Sequence, residues 1–156
     1  MKQSVYIETT IVSYLTSLPS RDIVIAAHQQ ITREWWQGCG RFEIYVSQIV
    51  LQEAGEGDPE AAKSRLKALE DINILELGEE ARALANELVK RKAIPQKTVL
   101  DAFHIAIAVV NGMDYLLTWN CTHIANASIR NKIERICRLK GYDPPVICTP
   151  EELMEV

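Results

Sequence analysis

The sequence has no apolar run longer than the six residues Ile105–Val110, far short of the ~20 that span a bilayer. Its opening, MKQSVYIETT, lacks the apolar stretch of a secretion signal, so a cytoplasmic protein is expected. There is no excess of positive charge: 17 Lys and Arg against 21 Asp and Glu give a net charge of −4. That argues against coating duplex DNA through bulk charge, but it is compatible with carboxylates gathered around a metal ion. Cysteine is scarce. Cys39, Cys121, Cys137 and Cys148 contain no CxxC pair, so free reduced thiols are expected. Cys121 and His123 lack the second pair that would complete a four-ligand zinc site. The GxSxG elbow, the P-loop and the GxGxxG fingerprint are also missing, which removes support for an unrelated α/β hydrolase.

What is present fits one ordinary globular domain over residues 1–156. At 47% hydrophobic and 24% charged, the chain can bury a core without disulfides, and disorder or a coiled-coil rod is excluded. No repeat, low-complexity segment or long linker divides it. Strand-like and helix-like segments alternate. Strands are predicted at Val5–Glu8, Glu43–Val46, Ile72–Leu77, Tyr115–Trp119 and Val146–Cys148. Helices are predicted from the IVSYL segment, from a Ser20 N-cap to Gln37, from a Ser47 N-cap through Ala54, and over Glu60–Glu70, Glu79–Lys92, Val99–Val110 and Ala127–Lys140. This order implies a layered α/β domain with a mostly parallel sheet flanked by helices.

Three carboxylates stand where the pattern calls for apolar or capping residues. In VLDAFHIAIAVV, residues 99–110, ten of twelve positions are apolar and only Asp101 and His104 are not. A carboxylate in the first turn of a buried helix must be capped, paired or bound to a cation. A capping box with Thr98 is one solution; a metal ligand is the other. His104, one turn on, reads as a satisfied core histidine. In SQIVLQEA, Glu53 shares a helix stripe with Ile49, Val50 and Ala54 and so needs a partner, a lysine or arginine or a cation. Glu8 ends the first strand and Asn120 follows the fourth. If those strands are parallel, both lie beyond the carboxyl edge, where open α/β sheets bind ligands, and the helix start carrying Asp101 can join them. Oxygen-only ligands of this kind suit Mg²⁺ or Mn²⁺, the ions used to activate water against phosphodiesters.

In order and spacing, YIETTIVSYL, LQEA, LDAFHIAIA and LLTWN resemble the motifs of PIN-domain ribonucleases, most closely the VapC-type toxins of toxin–antitoxin pairs. The likeness runs from about residue 4 to residue 148. It implies a three-layer PIN-like fold and a metal-dependent endoribonuclease with Mg²⁺ or Mn²⁺. It also implies an RNA substrate, a cognate antitoxin and a homodimer. By this resemblance Asp101 is the central aspartate and Glu53 the second-helix glutamate. Glu8 takes the place usually held by an aspartate, and Asn120 stands where a fourth acid often does. Glu8, Glu53 and Asp101 would hold the metal, with Asn120 a weak supporting ligand. Thr9 or Thr10 matches the small hydroxyl residue after the first acid. Arg130 and Lys132, in a basic stretch that runs to Lys140, are further candidates for RNA contact, although a solvated helix face is the simpler reading. Trp35 and Trp36 read as packing residues rather than a base-stacking surface. Because Asn120 brings no charge and Glu8 is longer than aspartate, a PIN-fold RNA-binding or protein-interaction module without catalysis is the alternative.

Overall fold

Five short strands form one sheet in the order β3-β2-β1-β4-β5, every neighbouring pair parallel. They are β1 (Gln3–Ile7), β2 (Phe42–Ser47), β3 (Asn73–Leu75), β4 (Tyr115–Leu117) and β5 (Val146–Cys148). The structure, a computed structural model, describes residues 1–154; the last two residues of the expected domain lie outside the described residues. Among the described residues seven α-helices connect the strands: α1 (Thr9–Thr16), α2 (Ile23–Gln37), α3 (Gln48–Ala54), α4 (Pro59–Ala68), α5 (Glu79–Lys90), α6 (Val99–Val110) and α7 (Ala127–Leu139). The fold is the expected three-layer α/β domain, with the sheet parallel throughout. Among the described residues no helix is long and apolar enough to cross a membrane.

The central strand explains the burial pattern. β1 is paired on both edges, and Val5, Tyr6 and Ile7 are fully buried, as a strand covered on both faces requires. From β1 the chain passes to β2 and β3 on one side and later to β4 and β5 on the other. The carboxyl ends of β1 and β4 therefore flank a topological switch point. Register sets the details. Ile7 pairs with Leu117, and the Glu8 amide donates to the Leu117 carbonyl at 3.0 Å, so Glu8 sits beside Thr118 as the two strands end.

Several boundaries differ from expectation for local reasons. Asp22, not Ser20, caps α2, its carboxylate accepting from the Val24 and Ile25 amides at 2.9 and 3.1 Å. Ser20 instead accepts from the Asp22 amide. Asp58 caps α4, which begins at Pro59. The edge strand β3 is only three residues long, and α5 stops before Lys92, which turns the chain with φ 62°. β4 ends after Leu117, where the Thr118 amide makes the last bond across to β5 and the Trp119 amide turns to a side chain of α1. The Thr118 amide donates to the Cys148 carbonyl and the Trp119 amide to the Thr10 hydroxyl. Trp35 is buried as expected, packed against Phe42.

Candidate active site

Glu8 is the N-cap of α1 and only 5% exposed. A buried carboxylate needs several donors, and the chain supplies three. The Thr10 amide, the Thr10 hydroxyl and the Thr118 hydroxyl (2.7 Å) all donate to Glu8 Oε1. Each threonine oxygen also accepts a backbone amide from the turn after β4, Thr10 from Trp119 at 2.8 Å and Thr118 from Asn120 at 2.9 Å. Two hydroxyls thus fasten the turn after β4 to the carboxylate at the end of β1.

Glu53 lies on α3. Its Oε1 accepts from Thr9 Oγ1 at 2.7 Å and from His104 Nε2 at 2.6 Å. The partner of Glu53 is therefore a histidine from α6, in place of the lysine or arginine considered from sequence. His104 is 1% exposed, and its Nδ1 lies 2.7 Å from the Tyr6 hydroxyl, which in turn lies 2.8 Å from Ser47 Oγ. Burial raises the Glu53 carboxyl, but the hydrogen bond from His104, the charge that ring can carry and the Thr9 hydroxyl outweigh it and leave it below its ordinary value. Burial holds the Tyr6 phenol far above its usual range, Ser47 opposing and the Glu8 and Glu53 charges adding. Burial thus favours the neutral, protonated phenol.

Asp101 occupies the first turn of α6. The capping box is not formed: Thr98 makes no cap bond and donates its hydroxyl to the Pro95 carbonyl. Asp101 Oδ1 accepts from Asn120 Nδ2 at 3.1 Å, and Oδ2 lies 3.1 Å from His123 Nδ1. Asn120 Oδ1 is taken by the His123 amide at 3.0 Å, so Asn120 presents its NH₂ to Asp101 and not its oxygen. In this arrangement the amide orients the aspartate.

The four sequence-predicted residues belong to one connected set: Asp101 to Asn120, Asn120 to Thr118, Thr118 to Glu8, Glu8 through Thr10 to the neighbouring Thr9, and Thr9 to Glu53. Thr9 and Thr10 spend their hydroxyls holding the acids. Of the basic candidates, Arg130 lies close enough to Cys121 and Cys148 to influence both thiols, and its Nε is buried without a partner. Lys132 points elsewhere, 3.4 Å from the Lys92 carbonyl. Sequence reasoning missed Thr118 and Tyr6, weighed His123 only as a zinc ligand and Ser47 only as a helix cap, and undervalued His104. It also missed a parallel aromatic stack beside the turn, in which His28 lies 4.0 Å from Trp119 and Tyr14 lies 6.3 Å from both.

Every hydrogen bond to Glu8 and Glu53 among the described residues falls on Oε1, leaving Oε2 of each free of such bonds. No three His, Cys, Asp or Glu side chains among the described residues form a ready metal cluster. Mg²⁺ ordinarily takes one or two carboxylates and keeps several waters, so the free oxygens of Glu8 and Glu53 fit a hydrated cation and not a closed cage, while both Asp101 oxygens already have a partner in Asn120 or His123.

A family model described as PIN domain matches residues 5–120. No curated protein matches the chain in sequence. Among solved structures, the chain is similar to VapBC2 from Rickettsia felis bound to a DNA fragment from their promoter. That match has 16% identity and a TM-score of 0.60, covering 94% of this chain and 98% of the other. It is also similar to Mycobacterium tuberculosis VapC20, a sarcin-ricin loop cleaving toxin. Here identity is 13% and the TM-score 0.59, over 76% of this chain and 92% of the other. At these identities the structural likeness concerns the fold.

Proposed function

The chain belongs to the PIN domain family, and from that premise we propose that it is a VapC-type endoribonuclease hydrolysing RNA phosphodiesters with Mg²⁺ or Mn²⁺. The observation that carries this reading is a pair of hydrogen-bonded sets at the carboxyl ends of β1 and β4, one holding Glu8, Asn120 and Asp101 and the other Glu53, joined through the adjacent residues Thr9 and Thr10. Glu8, Glu53 and Asp101 would hold the cation. Such a cation supplies a bound water of lowered pKa and neutralises charge at the phosphate. The protein's own part is orientation. Thr10 and Thr118 set Glu8, Thr9 and His104 set Glu53, and Asn120 and His123 set Asp101. Arg130, partly exposed and close to Cys121 in the turn after β4, would bring a positive charge toward a backbone phosphate of the substrate.

A toxin–antitoxin role, with a cognate antitoxin and a homodimer in the cytoplasm, is part of the same proposal. It is supported by the fold shared with VapBC2 and VapC20. One observation favours the second reading, a PIN-fold binding module without catalysis: Asn120 turns a neutral NH₂ to Asp101 where a further oxygen would strengthen a cation site. Mn²⁺ calorimetry and RNA cleavage on the wild type and Asp101→Asn separate the two. Saturable binding and cleavage in the wild type, both lost in a folded variant, support the nuclease. Cleavage retained by Asp101→Asn would overturn the assignment, and RNA binding without Mn²⁺ binding or cleavage would favour the module.

A further inference from the structure

We propose that His104 is a positioning residue that fixes which oxygen of Glu53 is offered to the cation; the claim builds on the nuclease reading above. A buried chain of hydrogen bonds leaves its protons one consistent direction. Ser47 Oγ accepts the Val50 amide at 3.3 Å as the cap of α3, so its own proton is free to go to Tyr6. Tyr6 is fully buried, and a phenol has a single proton to give; with Ser47 donating to the Tyr6 oxygen, that proton can go only to His104 Nδ1, 2.7 Å away. The imidazole must carry its proton on Nε2, and that proton meets Glu53 Oε1 at 2.6 Å. Every donor in the sequence Ser47, Tyr6, His104 finds one acceptor. The opposite direction would leave the Ser47 hydroxyl proton with no acceptor among the described residues, a buried group unsatisfied at a cost.

The chain joins three separate elements. Tyr6 comes from the central strand β1, Ser47 caps the helix that carries Glu53, and His104 stands three residues after Asp101 on α6. A three-residue spacing places Asp101 and His104 on one side of that helix. The two acids are thereby tied to one rigid helix, Asp101 by its backbone and Glu53 through the imidazole. With His104 and Thr9 both bound to Oε1, rotation of the carboxylate is blocked and Oε2 is left as the ligating oxygen. Partners of this kind, which orient a ligand without touching the metal, typically govern 10–100-fold in affinity or activity.

The test uses the whole protein, MnCl₂ and a fluorescein-labelled single-stranded oligoribonucleotide. His104→Leu is expected to weaken calorimetric Mn²⁺ binding and lower kcat by about 10–100-fold with KM for the oligonucleotide unchanged. His104→Gln, whose amide N–H reaches Oε1, is expected to recover most of both. Should His104→Leu fail to fold, Thr9→Val tests the same clamp from its second donor and is expected to weaken Mn²⁺ binding in the same direction. The proposal is overturned if a folded His104→Leu or Thr9→Val variant binds Mn²⁺ as the wild type does. It is equally overturned if Gln and Leu behave alike. A long-range ¹H–¹⁵N spectrum of the metal-free protein supplies a readout independent of activity. A proton on Nε2 with Nδ1 accepting supports the chain, and a ring protonated on Nδ1 refutes it. A wild type that binds no Mn²⁺ and cleaves no RNA refutes the proposal in its metal-directed form together with the nuclease reading. Mn²⁺ binding unaffected by the variants refutes the proposal alone.

Discussion

Thr118→Val removes one hydroxyl and keeps the shape of the side chain. Thr118 is fully buried, donates to Glu8 Oε1 at 2.7 Å and accepts the Asn120 amide at 2.9 Å. The first bond goes to a carboxylate, a class worth about 1.5–3 kcal/mol. The second leaves a part-buried amide without an acceptor, at a cost of about 1 kcal/mol or more. Glu8 retains the Thr10 amide and hydroxyl, so the loss does not reach that of an isolated buried charge. The expected destabilisation is therefore about 3 kcal/mol, a large part of the roughly 5–15 kcal/mol that holds a domain folded. The corresponding fall in melting temperature is about 6–12 °C for a chain of this size. Thr118→Ser keeps the hydroxyl and deletes a methyl group, and should cost only about 1 kcal/mol. Equilibrium urea unfolding of both variants in EDTA is the assay. Equal midpoints for Val and Ser, or a Val effect under about 1 kcal/mol, would refute the idea that the hydroxyl bridges Glu8 to the turn after β4.

Three further outcomes are expected. Trp35 is buried with its Nε1 unpartnered, so Trp35→Phe deletes an unsatisfied donor along with ring volume. It should cost less than the roughly 3–5 kcal/mol of a full aromatic truncation, and a loss in that range by urea unfolding would contradict the missing partner. Asp22→Ala should destabilise by about 1 kcal/mol through loss of the α2 cap while Ser20→Ala does little; the reverse order in thermal unfolding would return the cap to Ser20. Iodoacetamide at pH 8 should label exposed Cys121 and half-buried Cys39 first. Burial pushes the Cys137 thiol up to about 11 and that of Cys148 up to about 12, so both should stay unlabelled until denaturant is added, as read by intact mass. Rapid native labelling of Cys148 would sink the packing of β5.

Local pattern alone carried much of this molecule. Among the described residues, alternation of short β-branched runs with amphipathic stretches located each strand and α-helix to within a few residues, because burial on one face leaves a periodic trace in the sequence. The candidate acids were legible for a related reason: Asp101 and Glu53 interrupt apolar stripes, and an ionised group in such a place demands an explanation. Tertiary structure decided who answers that demand. Thr118 meets Glu8 across 110 positions, and Glu53 meets His104 across 51. Those pairings follow from strand order and from the register that sets Ile7 against Leu117. A threonine at the end of a strand or a histidine on a buried helix face has no sequence signature of its partner. Hydrogen bonds reach only about 3 Å, so a shift of one residue in register would give each acid a different neighbour. The sequence by itself determined the elements and marked the acids as anomalous. The fold alone chose the hydroxyls, the imidazoles and the inverted amide that hold them, because those choices depend on contacts between residues far apart in the chain.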